Sequence, residues 1–178
     1  MAKFVALLRA VNVGGRKLPM AELKALCGAL GWEGAATYIQ SGNIVFEAKG
    51  KSAALETALE SAIEEKFGLD VPVIVRTAGE WRAIAAGNPF ADAAEKEPNR
   101  VLLGLAQRRL APGAAAAIAA KAAAGERVEA VGEALWFHYP EGVGTSKLTP
   151  SLIDRAAGSH VTARNWRTVT TLLEMAGA

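Results

Sequence analysis

The order in which this chain's apolar patterns change period constrains its fold more than any other feature. Phe4 to Val13 is short and almost wholly apolar apart from Arg9 and Asn12, and it stops at Gly14-Gly15, which predicts a buried strand. Met20, Leu23, Leu26, Cys27 and Leu30 then recur at three- and four-residue spacing between Pro19 and Gly31, the stripe of an amphipathic helix. Ala36 to Gln40 and Asn43 to Glu47 read as strands joined by a tight turn at Ser41-Gly42. Ser52 can cap a helix with Leu55, Leu59, Ile63 and Phe67 on its buried side, ended by Gly68, and Val71 to Arg76 is a further strand. The resulting order, β-α-β-β-α-β, is ferredoxin-like, and its two helices would cover one face of an antiparallel sheet.

Thr77 and Glu80 have capping-box spacing and open a short helix through Trp81 and Ile84 that ends near Asn88-Pro89. Residues 91–99 read as a surface connection. The same grammar then returns. Val101 to Ala106 is a strand, and Ala114 to Ala124 is a helix by alanine's propensity rather than by pattern. Arg127 to Val131 and Ala134 to Tyr139 form a second hairpin, and Thr149-Pro150 opens a helix that stops at Gly158. Asn165 can cap a last helix with Trp166, Val169, Leu172, Leu173 and Ala176 facing inward. The predicted fold is α+β with two sequential α/β-plait-like subdomains, the first βαββαβ and the second βαββαα. Their ranges are 1–76 and 100–178, with a connecting helix and loop at 77–99. The halves share an order of elements rather than an obvious sequence identity, so an ancient duplication is a hypothesis.

Length and composition agree with this plan. A chain of 178 residues buries roughly 70% of its unfolded surface without needing a disulfide or a metal. The 20 basic and 18 acidic residues leave a net charge of +2, too balanced to predict nucleic-acid or membrane binding from charge. The single cysteine, no secretory pattern at the N-terminus and no apolar run long enough for a bilayer point to the cytoplasm.

Three stretches carry a family resemblance: Leu7-Leu8-Arg9-Ala10-Val11-Asn12-Val13-Gly14-Gly15 running on to Met20-Ala21-Glu22-Leu23, then Thr37-Tyr38-Ile39-Gln40-Ser41-Gly42-Asn43-Ile44-Val45-Phe46, and Thr162-Ala163-Arg164-Asn165-Trp166-Arg167-Thr168-Val169. In these the chain resembles the bacterial family called domain of unknown function 1697, and they fall at both ends of the sequence. The resemblance implies a two-part α+β fold with a ferredoxin-like first part. It brings no activity with it. Residues 91–135, with the alanine-rich helix and Gly104 inside a strand, match the family pattern least.

Several residues are candidates for chemistry. On a two-residue alternation Arg9 shares a face with Val5, Leu7, Val11 and Val13, where a guanidinium must be paired or must line a groove. Asn12, Gly14 and their neighbours through Lys17 join a strand to a helix and can offer backbone N–H groups to an anion. The plainer reading is a tight turn. Gln40, Ser41 and Asn43 suit turn chemistry or the orientation of a ligand. Lys147 follows two hydroxyls in the loop Gly142–Lys147, and Arg164 and Arg167 flank the cap Asn165 at a helix start, where their charge beside the helix N-terminus would favour an anion. His138 and His160 have no ligand-like spacing, Cys27 falls on an apolar helix face, and Glu22, Glu56, Glu60, Glu64 and Glu65 read as solvated, so no metal, cofactor or acid–base pair is expected. Three functions follow. The first is binding of a small phosphorylated or carboxylated ligand in a cleft between the halves, with Arg9 and Arg164 as clamps and Lys147 as a point charge, with or without catalysis. The second is a single-strand nucleic-acid module using Phe4, Tyr38 and Phe46, which the charge balance disfavours. The third is an interaction scaffold without chemistry. Nothing in the sequence specifies an oligomer.

Overall fold

A computed structural model describes residues 1–177. The chain divides into two compact units, one formed by residues 1–83 with the segment from Leu172 onward, the other by residues 84–171.

The first unit follows the expected order: β1 (Ala2–Leu8), α1 (Met20–Ala29), β2 (Glu33–Thr37), β3 (Asn43–Ala48), α2 (Ser52–Phe67), β4 (Val73–Thr77) and the start of α3 (Ala78–Ala86). Its strands lie antiparallel in the order β2-β3-β1-β4. Side-chain alternation puts Phe4, Ala6 and Leu8 of β1 on the helix-covered face, in one cluster with Leu23, Leu26 and Cys27 of α1 and Leu55, Leu59 and Ile63 of α2. Phe46 stacks between Phe4, at 5.6 Å, and Trp32, at 4.0 Å between ring centres. Val5, Leu7, Val45 and Ile74, on the other face, are buried as well.

β2 runs from Glu33 to Thr37 rather than from Ala36 to Gln40, and Ser52 is the first residue of α2 rather than its cap. Two further expectations change here. β1 ends at Leu8, because Ala10 and Asn12 adopt left-handed backbone with φ of 55° and 57° and the pleat cannot continue. Arg9 therefore does not share a strand face with Val11 and Val13: Val11 turns into the helix-side cluster and Val13 is exposed. The second change concerns Glu56 and Glu60, expected in water. They turn from α2 to the edge of the sheet, where Glu56 Oε1 accepts the Val75 N–H at 2.9 Å and Glu60 Oε2 the Val73 N–H at 3.4 Å. These carboxylates occupy amides that a bare edge strand would present to another chain. Burial raises the Glu56 carboxyl above its ordinary pKa, against the pull of the Val75 N–H and of Arg76 at 3.6 Å.

The second unit has β5 (Val101–Ala106), α5 (Ala114–Ala119), β6 (Arg127–Val131), β7 (Ala134–His138), α6 (Pro150–Ala157), β8 (Val161–Asn165) and α7 (Trp166–Met175), preceded by α4 (Ala91–Lys96) and a 3-10 turn at Pro98–Arg100. The expected βαββαα therefore lacks one strand. β8 pairs along β5, from Leu102 opposite Asn165 to Ala106 opposite Val161, and the order β6-β7-β5-β8 reproduces that of the first sheet. An α6 carboxylate again serves the edge strand, Asp154 Oδ1 accepting the Val161 N–H at 2.9 Å. The expected connection at 91–99 contains α4, and α5 stops well short of Ala124. Alanine propensity alone sustains few turns, and the Glu126 carboxylate takes the Ala124 N–H into a turn at 2.6 Å. α6 runs as expected, with Thr149 Oγ1 accepting the Leu152 N–H and Gly158 closing it in left-handed backbone.

Candidate functional site

Antiparallel register brings the end of β1 beside the starts of β3 and β4: Leu7 lies opposite Asn43, and Leu8 opposite Val73. Three connections meet at this end of the first sheet, formed by residues 9–19, 38–42 and 68–72. Asn12 clasps the first two. Its Nδ2 donates to the Leu18 carbonyl at 3.0 Å and to the Gln40 carbonyl at 2.6 Å, while its Oδ1 accepts the Leu18 N–H at 2.9 Å. Arg16 Nη2 reaches the third, donating to the Asp70 carbonyl at 2.6 Å, and the Arg9 N–H donates to the Pro72 carbonyl. Asn43 is fully buried. Its Nδ2 donates to the Tyr38 carbonyl and to Ser41 Oγ, both at 2.9 Å. Ser41 and Asn43 thus build the turn, as the plainer reading had it. Asn12, together with Ala10 and Ile39, holds left-handed backbone without being glycine. Such strain persists only where the surroundings over-determine it, and at Asn12 the cross-loop bonds do so.

One part of this end is left open. The N–H groups of Asn12, Arg16 and Lys17 donate to the carbonyls of Arg16, Val13 and Gly15. Between them, the N–H groups of Val13, Gly14 and Gly15 meet no acceptor among the described residues. Nothing lies within 4 Å of where a side chain on Gly14 or Gly15 would begin. Consecutive unpaired amides in a glycine turn, with Arg16 and the exposed Lys17 following, form a concentration of positive potential. Of the nine candidates taken from the sequence as one set, the six in the first unit, Arg9, Asn12, Gly14, Gln40, Ser41 and Asn43, are all at this end of the sheet.

The second-unit candidates are not gathered in this way. Asn165 Oδ1 accepts the Thr168 N–H at 3.0 Å and caps α7. Arg164 lies opposite Leu103 in the β5–β8 ladder, on the sheet face that also carries Trp136. Burial pushes its guanidinium down to about 10, and Nη1 donates to the Ala163 carbonyl at 2.9 Å. Lys147 is exposed beside Leu148, whose side chain enters the cluster on the helix-covered side. Lys147 thus lies in the exposed loop before α6, and Arg164 lies within β8 with its guanidinium buried. The loop's Ser146 hydroxyl donates to Glu126 Oε2 at 2.6 Å and holds that carboxyl below its ordinary pKa. The residue matching Arg164 in the first unit is Arg76, which the sequence reading passed over. Each is the second-last residue of the fourth strand, each donates Nη1 to the preceding carbonyl at 2.9 Å, and each precedes a polar helix cap. The signal was present as Arg-Thr against Arg-Asn.

The remaining candidates have specific surroundings. His160 Nδ1 lies 3.5 Å from Asp154 Oδ2, a carboxylate that sequence spacing did not suggest as its partner. His138 Nδ1 faces the Arg127 guanidinium; burial first, and then Arg127, lower its pKa. No group of three His, Cys, Asp or Glu residues is placed to hold a metal among the described residues. Burial pushes the Cys27 thiol up to about 12. Since the thiolate is the reactive form, the folded protein is expected to resist a thiol-disulfide reagent at mildly alkaline pH and to be labelled in step with unfolding by denaturant. Rapid labelling of the native protein would contradict this. Phe4 and Phe46, expected as stacking surfaces for bases, are 2% and 1% exposed inside the helix-side core.

Two antiparallel four-stranded sheets, each with flanking helices and each built in the same strand order, define an α+β protein of two plait-like units. The chain belongs to the family described as protein of unknown function, DUF1697, whose model matches residues 1–136. The matched span includes residues 91–135 and ends before the Thr162–Val169 stretch. Among solved structures the chain is similar to the conserved bacterial protein SP0830 from Streptococcus pneumoniae, with 21% identity, 98% of each chain covered and a TM-score of 0.72. That likeness is one of fold. No curated protein matches the chain in sequence. No helix among the described residues is long and apolar enough to cross a membrane.

Proposed function

We propose that this protein binds a small phosphorylated or carboxylated ligand in the cytoplasm, and that the binding end is the loop at residues 12–17 of the first unit. The observation that carries the reading is the run of three unpaired amides at Val13, Gly14 and Gly15, bracketed by amides that are paired. Unpaired N–H groups held in a fixed turn are anion donors that need no rearrangement on binding. The Asn12 clasp keeps them fixed, and Arg16 and Lys17 supply charge. Of the three aromatics the nucleic-acid reading relied on, Phe4 and Phe46 are buried and only Tyr38 is half-buried, which favours the anion reading over it.

The test is a titration of the full chain with inorganic phosphate, and separately with citrate, followed by amide resonances. Saturable shifts centred on Val13, Gly14 and Gly15, weakened about tenfold by Lys17→Glu, a loss of about 1.4 kcal/mol, are the expected result. Shifts that do not saturate, or that Lys17→Glu leaves unchanged, would sink the proposal.

A further inference from the structure

The second unit has a ligand surface of a different kind, and it stands independently of the first-unit loop. α6 separates two cavities. One, of about 390 Å³, is lined by Gln107, Arg108, Asp154, Arg155, Ser159 and His160. The other, of about 410 Å³, is lined by Ala117, Lys121, Thr149, Leu152, Arg155 and Ala156. Each lies in the size range of small-molecule sites. Arg155 lines both.

Their linings differ in chemistry, and the helix explains why. Ile153 and Ala157 are the buried side of α6. Leu152, Arg155 and Ala156, at spacings of three and four, share the remaining face. Leu152 and Ala156 face Ala117 across the second cavity, giving it an apolar floor with Lys121 and Arg155 as its cations. The first cavity is polar, and its one carboxylate is already engaged: Asp154 Oδ1 accepts the Val161 N–H at 2.9 Å, and Oδ2 lies 3.5 Å from His160 Nδ1. That contact directs the other ring nitrogen of His160 away from Asp154. No carboxylate pairs with Arg108, Lys121 or Arg155 among the described residues. Guanidinium groups without a carboxylate partner attract an anion, and a planar fork suits a phosphate or a carboxylate.

We infer that α6 binds an amphiphilic anion: a small molecule whose phosphate or carboxylate sits between Arg108, Arg155 and His160, and whose apolar body lies on Ala117, Leu152 and Ala156. Arg155 joins the two halves of the ligand because it belongs to both cavities. A bare anion would use only the polar side, and a neutral apolar molecule only the floor.

The experiment is a residue-resolved amide titration of the full chain with inorganic phosphate, phenyl phosphate, benzoate and phenol. Phenyl phosphate or benzoate is expected to saturate shifts in α5 and α6 at concentrations at least tenfold below those inorganic phosphate needs, with no saturation by phenol. Which of the two binds more tightly assigns the head group. Arg155→Ala should weaken the better ligand tenfold or more, and Arg108→Ala several-fold. Leu152→Asn should reduce its affinity to that of inorganic phosphate. Lys17→Glu should leave all of these values unchanged, which separates this surface from the first-unit loop. Equal binding of phenyl phosphate and inorganic phosphate at α6, or affinity unmoved by Arg155→Ala in a variant that keeps its unfolding midpoint, would overturn the inference.

Discussion

Gly42→Ala is expected to remove about 2–6 kcal/mol of stability, through two additive causes. The residue's φ is +87°, in the left-handed region, and a side chain held there costs of order 1–3 kcal/mol. The added Cβ would also stand 2.8 Å from Leu8 Cβ and 2.8 Å from Val11 Cγ2. Leu8 Cβ is attached directly to the backbone of β1 and cannot swing aside, and overpacking a filled site costs roughly 1–3 kcal/mol. Gly14→Ala is the control: its φ is also positive, +55°, but nothing lies within 4 Å, so it should cost only about 1–2 kcal/mol. Urea denaturation of the two variants separates strain from crowding, and a loss below 1 kcal/mol for Gly42→Ala would show that the turn gives way. The same substitution should also weaken phosphate binding. Gly42 sits in the turn whose Gln40 carbonyl accepts the Asn12 clasp, so moving that turn loosens the amides at 13–15.

What the sequence disclosed and what it withheld divide along the range of the interactions. α6 was legible to the residue because both its signals are local: a Thr-Pro start that needs only its own hydroxyl, and a glycine that can turn left-handed. The capping box at Thr77 and Glu80 was legible for the same reason, and both of its bonds form. β8 was not legible. Only Val161 and Thr162 are buried, and its strand character comes from pairing with β5, some sixty residues earlier in the chain. Arg9 was misplaced because alternation was carried past Leu8 into a segment where Ala10, an ordinary residue, turns left-handed. In the candidate site, the polar residues at the end of the first sheet could be named from sequence, but their work could not. Whether Asn12 faces a ligand or its own chain depends on Gln40, which folding alone brings to it. The α6 surface left no signature at all, since Arg108, Lys121 and Arg155 are ordinary surface cations until β5, α5 and α6 come together.

The glycine of β5 makes the corresponding case in the second unit without any help from backbone strain. Gly104 sits in a central strand, paired with Leu135 of β7 and Ala163 of β8. Alanine favours a strand interior no less than glycine does, so propensity alone predicts a neutral or slightly stabilising change. Packing predicts the opposite. The new Cβ would lie 2.9 Å from Val161 Cγ1, 3.1 Å from Phe137 Cε2 and 3.5 Å from the Leu135 carbonyl oxygen. Phe137 is 1% exposed and stacks on Tyr139 at 5.8 Å between ring centres, so its ring has little room to retreat. Gly104→Ala is therefore expected to cost about 1–3 kcal/mol, the ordinary range for overpacking a close-packed interior. A double-mutant cycle identifies the cause. Val161→Ala removes the methyl nearest the new atom, so the double variant should lose less stability than the two single losses summed, by at least 0.5 kcal/mol, the lower end of coupling between touching residues. Strict additivity would place the cost elsewhere than in this contact. A stabilised Gly104→Ala would show that β5 is held loosely enough for propensity to decide, and that Phe137 and Val161 are free to shift.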